Sequence, residues 1–245
     1  MRNGIAAFFI LSALAAVPAS AQCPSVPEPH TPPAPTPLNI DKVKDLLRDY
    51  HDTQYAQDVA AVYAIAQKYI EKHAGEVKSP AIIMDIDETV LSNWRNLAAD
   101  DFGFFRNGNC DGLPDGPCGF DAWILRSEAV AFPSALNFFN AIRDKGVAII
   151  FITNRWDRQR QATLWNLDRA GFEGWTKLVT RSDKDDFPTV QAFKTAARAR
   201  IDTDEKYTLI ANIGDQLSDI EQQPGITAGK AECSFKLPNP FYFIK

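Results

Sequence analysis

The sequence predicts an α/β fold: a Rossmann-like parallel sheet with helices on both faces, a small cap insertion and an N-terminal helical segment. Three observations carry this. Apolar runs and helix-patterned stretches alternate from residue 81 to residue 215, the signature of a parallel sheet built from crossover units. The runs are continuous rather than alternating, as expected of strands buried on both faces. Finally, several runs stop abruptly at clustered polar residues, and ligands in such sheets collect beyond the carboxyl ends of the strands.

The elements follow in chain order. Arg2, the apolar run "IAAFFILSALAAV" and the A-x-A arrangement of Ala19 and Ala21 predict a secretory signal over residues 1–21. Residues 22–38 read as a proline-rich leader, and residues 39–245 as a single domain with a cap-like insertion at about 92–131. Asn39 is an expected N-cap for a helical stretch running to His73. Val43, Leu46, Leu47 and Tyr50 form one apolar face of it, and Val59, Val62, Ile65, Tyr69 and Ile70 another. "HAGEVKSP" breaks it. Residues 81–86, 147–153, 176–181 and 207–215 are expected strands; 134–146, 157–171 and 189–201 are expected helices, the first two closed by glycine. Residues 92–131 read as irregular, rich in glycine and aromatic residues.

Composition narrows the function classes. The chain has 245 residues and a formal net charge of −5 with no basic stripe, which argues against a nucleic-acid polymer as main partner. No segment after the signal is long and apolar enough to span a membrane, so the mature form is expected to be soluble, and periplasmic or secreted. The sequence leaves the oligomeric state open. All four cysteines follow the expected cut, and an even count in an exported chain favours disulfides. Cys110 and Cys118 flank a Gly/Pro/Asp-rich loop, which leaves Cys23 with Cys233. A zinc site is the rival reading, weakened because His30, His51 and His73 lie far from the cysteines in sequence.

The polar strand ends define a candidate site. The first strand ends at Asp85 and Asp87, the second at Thr153, Asn154 and Arg155, and the fourth at Asp215, with Asp219 one helical turn on. Lys194 lies on the helix before that fourth strand. A parallel sheet brings these to one edge. Asp85, Asp215 and Asp219 offer carboxylate oxygens that suit a hard cation, most simply Mg²⁺. Thr153, Arg155 and Lys194 supply a hydroxyl and two cations for a phosphate. Aspartate can serve as a covalent nucleophile, and a second aspartate two residues on can move the proton. The aromatics Trp94, Phe104, Phe105 and Trp123 read first as packing residues.

The first motif, "DIDETVLSN", stands in order with "FITNR", "IGDQLSDI" and the ending "FKLPNPFYFIK". In these the chain resembles phosphatases of the haloacid dehalogenase-like superfamily, and more narrowly the class C-type acid phosphatases and the plant acid phosphatase and vegetative storage protein group. The likeness covers roughly residues 40–245. It implies Asp85 as nucleophile and Asp87 as acid–base, with the Asp87 backbone carbonyl on the metal. Thr153 would hold the phosphate, with Asn154 and Arg155 beside it, and Asp215 and Asp219 would be metal-site residues. Lys194 fits the family's lysine better than Lys184, which sits in the charged run "RSDKDD". The implied function is a secreted Mg²⁺-dependent phosphomonoesterase, an acid phosphatase or 5′-nucleotidase working through an aspartyl phosphate. The alternatives are a non-catalytic storage or binding protein on the same fold, and a phosphotransferase.

Overall fold

The computed structural model describes residues 23–27, 38–184 and 186–244. The expected signal peptide and most of the leader therefore lie outside the described residues.

The chain opens with α1 (Ile40–Tyr50), capped by the Asn39 side chain, which accepts from the Asp41 amide. A single π-helical turn at His51–Tyr55 joins it to α2 (Ala56–His73). The stretch is helical to His73 as the pattern implies, but the wider turn interrupts the period. It carries Tyr55 into the core at 1% exposure, while Leu46, expected on the buried face, is exposed. Then come β1 (Pro80–Met84), β2 (Leu91–Ser92), α3 (Trp94–Ala99), α4 (Phe120–Arg126) and β3 (Val130–Ala131). Segment 92–131 is thus more ordered than its composition suggests. Two short helices sit within an antiparallel β2–β3 ribbon, and a Cys110–Cys118 disulfide ties its glycine-rich loop. The rest is α5 (Pro133–Asp144), β4 (Ala148–Trp156), α6 (Arg160–Arg169), β5 (Lys177–Arg181), α7 (Val190–Thr203), β6 (Thr208–Gly214), α8 (Leu217–Ile220) and β7 (Cys233–Lys236).

Five strands form one sheet in the order β5-β4-β1-β6-β7, every pair parallel. Strand β7 escapes a sequence reading because it is four residues long and mixes polar with apolar side chains. A second disulfide, Cys23–Cys233, joins it to the leader. Side chains alternate across β1. Ile82 and Met84 pack with Val59, Val62 and Ala66 of α2 and with Phe138, Phe139 and Ile142 of α5. Ala81 and Ile83 face Phe193, Ala197 and Ile201 of α7. Burial on both faces explains the continuous apolar runs. The consequence for function is positional: β4, β1 and β6 are adjacent, so their carboxyl ends lie side by side. Among the described residues no helix is long and apolar enough to cross a membrane.

Candidate active site

The apolar run of β1 stops at Met84, yet the chain keeps the ladder for one more residue: the Asp85 amide donates to the Ile213 carbonyl at 3.0 Å. A tight turn follows. The amides of Val90 and Leu91 both donate to the Ile86 carbonyl, at 3.0 and 2.9 Å. Glu88 takes a left-handed conformation, φ 50°, to make it, an unfavourable geometry for a residue with a Cβ. The turn places Asp85 and Asp87 at the edge of the sheet with different neighbours.

Asp85 meets the residues of β6, α7 and α8. Lys194, 4% exposed, donates from Nζ to Asp85 Oδ1 at 2.6 Å and also to Asp219. One carboxylate oxygen from each of Asp85, Asp215 and Asp219 lies within 4.8 Å of the others. Asp219 comes this close because position 214 is glycine: a Cβ there would collide with the Asp219 side chain. Asp219 Oδ2 in turn accepts from the Gln216 amide at 2.9 Å. Asp215 Oδ2 accepts from Gln216 Nε2 (2.6 Å) and Asn239 Nδ2 (2.7 Å), and Oδ1 from the Thr89 hydroxyl (3.3 Å). Burial pushes the Asp85 carboxyl well above the usual aspartate range; Lys194 opposes this, while Asp219, Asp215 and Asp87 add to it. Burial and Asp219 push Asp215 up to about 6. Burial works against the Lys194 ammonium, but Asp219 and Asp85 outweigh it and hold its pKa above the ordinary lysine value.

Asp87 faces β4 instead. Arg155, 2% exposed, grips it with two nitrogens: Nη2 donates to Oδ1 at 2.7 Å and Nε to Oδ2 at 3.0 Å. Asn93 Nδ2 adds a third donor to Oδ1 at 3.0 Å. Burial alone would raise the Asp87 pKa, but Arg155 outweighs it and holds the carboxyl below its usual value. Arg155 was expected beside a phosphate; here its fork is committed to a carboxylate. Thr153 is fully buried, its hydroxyl accepting from the Arg155 amide at 3.2 Å. Asn154 Oδ1 accepts from Arg181 Nη1 at 3.2 Å. Lys184 is exposed, in the turn after β5, whereas Lys194 lies among the carboxylates.

The carboxylate oxygens grouped here suit a hard divalent cation rather than a soft metal. Asp85, Asp215 and Asp219 could hold it. Sequence reasoning missed the residues that orient this group: Tyr55, Glu88, Thr89, Asn93, Gln216 and Asn239. Glu88 stood inside the quoted acidic run, but its left-handed turn and its bond from the Tyr55 hydroxyl (2.8 Å) depend on elements distant in sequence. The aromatics divide. Trp123 is buried and Trp94 stacks on His51 with centroids 3.5 Å apart, while Phe104 and Phe105 are exposed.

A family model described as HAD superfamily, subfamily IIIB (acid phosphatase) matches residues 30–245. The chain is similar to "Acid phosphatase 1" of Solanum lycopersicum, with 32% identity over 162 residues, covering 66% of this chain and 58% of that protein. It thus spans a little over half the length of that relative. It is also similar to the "Stem 28 kDa glycoprotein" of Glycine max, 31% identical over 199 residues, or 80% of this chain and 72% of that one. Among solved structures, the class C acid phosphatase from Bacillus anthracis shares the fold with a TM-score of 0.63 at 24% identity, covering 83% of this chain and 86% of that chain.

Proposed function

The chain belongs to the HAD superfamily, subfamily IIIB (acid phosphatase), and on that premise we propose that it hydrolyses small phosphate monoesters, 5′-nucleotides among them, through an aspartyl phosphate at Asp85. The observation that carries this reading is the convergence of Asp85, Asp215, Asp219 and Lys194 within bonding reach, with Asp87 two residues from Asp85 in a separately held position.

Each residue has a role in two steps. An Asp85 oxygen bonds to phosphorus as the ester P–O bond breaks, and Asp87 gives its proton to the leaving oxygen. The alcohol departs. Asp87, now a carboxylate, takes a proton from water as the water oxygen bonds to phosphorus. The bond between Asp85 and the phosphoryl group breaks, releasing phosphate and restoring both carboxyl groups. Lys194 has three N–H donors and places two on Asp85 and Asp219, which leaves one for a phosphate oxygen. The Thr153 hydroxyl is assigned to the phosphate, while Asn154 and Arg155, engaged here with Arg181 and Asp87, would reach it only by exchanging those partners. A bound Mg²⁺, held by Asp85, Asp215, Asp219 and the Asp87 backbone carbonyl, would neutralise charge on the phosphate oxygens.

We assign residues 92–131 as a cap-like insertion within a single 39–245 domain. Export to the periplasm or medium is supported by the Cys23–Cys233 and Cys110–Cys118 disulfides, which persist in oxidising compartments. Initial rates on nucleoside monophosphates, sugar phosphates and aryl phosphates, with chelator and with Mg²⁺ restored, test the reading. Hydrolysis that chelation abolishes and Mg²⁺ restores is expected. Full activity after exhaustive chelation contradicts the metal assignment, and no hydrolysis of any ester favours a storage role.

A further inference from the structure

Trp123 of α4 stands beside the catalytic turn without touching either aspartate. Its indole Nε1 donates to Asn93 Oδ1 at 2.8 Å, and Asn93 Nδ2 donates to Asp87 Oδ1 at 3.0 Å. Both side chains, Asn93 and Trp123, are 1% exposed, so water does not substitute for either bond. An indole N–H can only donate, and an ionised carboxylate can only accept. With the amide between them, one orientation satisfies both partners. A flipped amide would set N–H against N–H and oxygen against oxygen in a buried place, leaving polar groups unpaired.

The backbone of Asn93 is fixed as well. Its N–H donates to Glu88 Oε1, and Glu88 Oε2 accepts from the Tyr55 hydroxyl at 2.8 Å. The Asn93 carbonyl accepts from the amides of Asn96 and Leu97, at 2.9 and 3.0 Å, at the start of α3. Helix α4 is tethered to the loop after β4, where Gln159 Nε2 donates to Asp121 Oδ1 at 3.0 Å. The amide is therefore held at its backbone, at its oxygen and at its nitrogen. It loads Asp87 asymmetrically: Oδ1 receives Asn93 Nδ2 and Arg155 Nη2, and the principal donor to Oδ2 is Arg155 Nε.

We propose that Asn93 is a positioning residue for Asp87, that Trp123 sets the sense of its amide, and that segment 92–131 thereby orients the proton-transfer group of the reaction. The inference rests on the phosphatase reading given above, with Asp87 as acid and base. In this arrangement Oδ1 is held as an acceptor and Oδ2 is the oxygen that exchanges the proton with the leaving group and with water.

The test compares Asn93→Leu and Trp123→Phe with the wild type on two esters, in Mg²⁺: a nucleoside 5′-monophosphate and an aryl phosphate with an acidic phenol. Thermal unfolding of each variant is measured alongside. An alkyl leaving oxygen needs the proton donor; an acidic phenol needs it far less. Removing a hydrogen bond that orients a reacting or ligating group costs about 10–100-fold, so kcat/KM on the nucleotide is expected to fall by that factor in both variants and that on the aryl ester by much less. Equal losses on both esters, or no loss in a variant that unfolds at the wild-type temperature, overturn the proposal. If Trp123→Phe fails to fold, Asn93→Leu decides alone. A wild type that hydrolyses neither ester overturns the phosphatase reading itself, and this inference with it.

Discussion

Asp85 and Asp87 are two residues apart on one turn, yet their surroundings differ in kind. Asp85 sits with a single ammonium among carboxylates, and burial pushes its pKa up. Asp87 sits in an arginine fork with an amide on one oxygen, and its pKa is held down. These directions are opposite to what a nucleophile and a general acid require. The contrast indicates what completes the site. On the proposed reading, a divalent cation joining Lys194 against the three carboxylates would favour the ionised form of Asp85. An anionic phosphate drawing Arg155 away would in turn favour protonation of Asp87. On that reading, metal and substrate set which of the two aspartates carries the proton.

The largest effect that could break the comparison is loss of the Asp85 carboxylate. Asp85→Asn is expected to lower kcat by several orders of magnitude on every ester, with aryl and alkyl substrates affected alike. Steady-state rates on both ester classes check this. A variant retaining most of its activity would mean that no bond forms to Asp85.

Lys194 sharpens the Asp85 side. Its removal leaves buried carboxylates without their cation, and breaking a buried pair from one side costs about 3–5 kcal/mol. Lys194→Met should therefore be destabilised by about that amount in chelator, and saturating Mg²⁺ should recover part of the loss. Urea unfolding with and without the metal measures it. Equal losses in both conditions would show that metal and lysine do not share the same carboxylates.

What could be read in the sequence, and what could not, divides along the same lines. The end of an apolar run marked the termini of β1 and β6, so Asp85 and Asp215 could be placed at one sheet edge before any coordinates, whereas the expected end at Thr153 falls inside β4, which runs on to Trp156. Continuous runs marked β1, β4 and β6 because both of their faces are covered. The features that distinguish Asp85 from Asp87 are tertiary. The Arg155 fork, the Trp123–Asn93 pair and the Asn239 contact with Asp215 join residues 68, 30 and 24 positions apart, and none leaves a periodic trace. The π turn that delivers Tyr55 changes helical period over five residues, too short a span for a pattern to register. Strand β7 has its partner in β6 but no apolar run of its own, and Glu88 adopts a left-handed turn that residue type does not announce.

A smaller effect concerns that glutamate. Burial pushes the Glu88 carboxyl from 4.5 up to about 8, with Asn93 and Tyr55 opposing. The folded state then holds more protons than the unfolded one between those values. Its contribution to stability is fully present below the unfolded pKa and is lost as pH rises towards the folded one. Metal-free protein should therefore lose stability across this window, and Glu88→Gln should flatten the slope. Unfolding midpoints at the two ends of the window measure it, and a stability that rises with pH in the wild type but not in the variant would contradict the assignment.

The most direct test uses Asp87→Asn with an aryl phosphate and rapid mixing. The account predicts a burst of phenol about equal to the enzyme concentration and then slow turnover, because the first step needs little acid while the second still needs a base. Phosphate should be recovered covalently on the peptide containing Asp85. A nucleotide should give no burst, since its leaving oxygen needs the donor, and its turnover should fall by about 10²–10⁴-fold. Equal slowing on both esters, no burst and no phosphate on Asp85 would contradict the two-step account and the division of roles between the two aspartates.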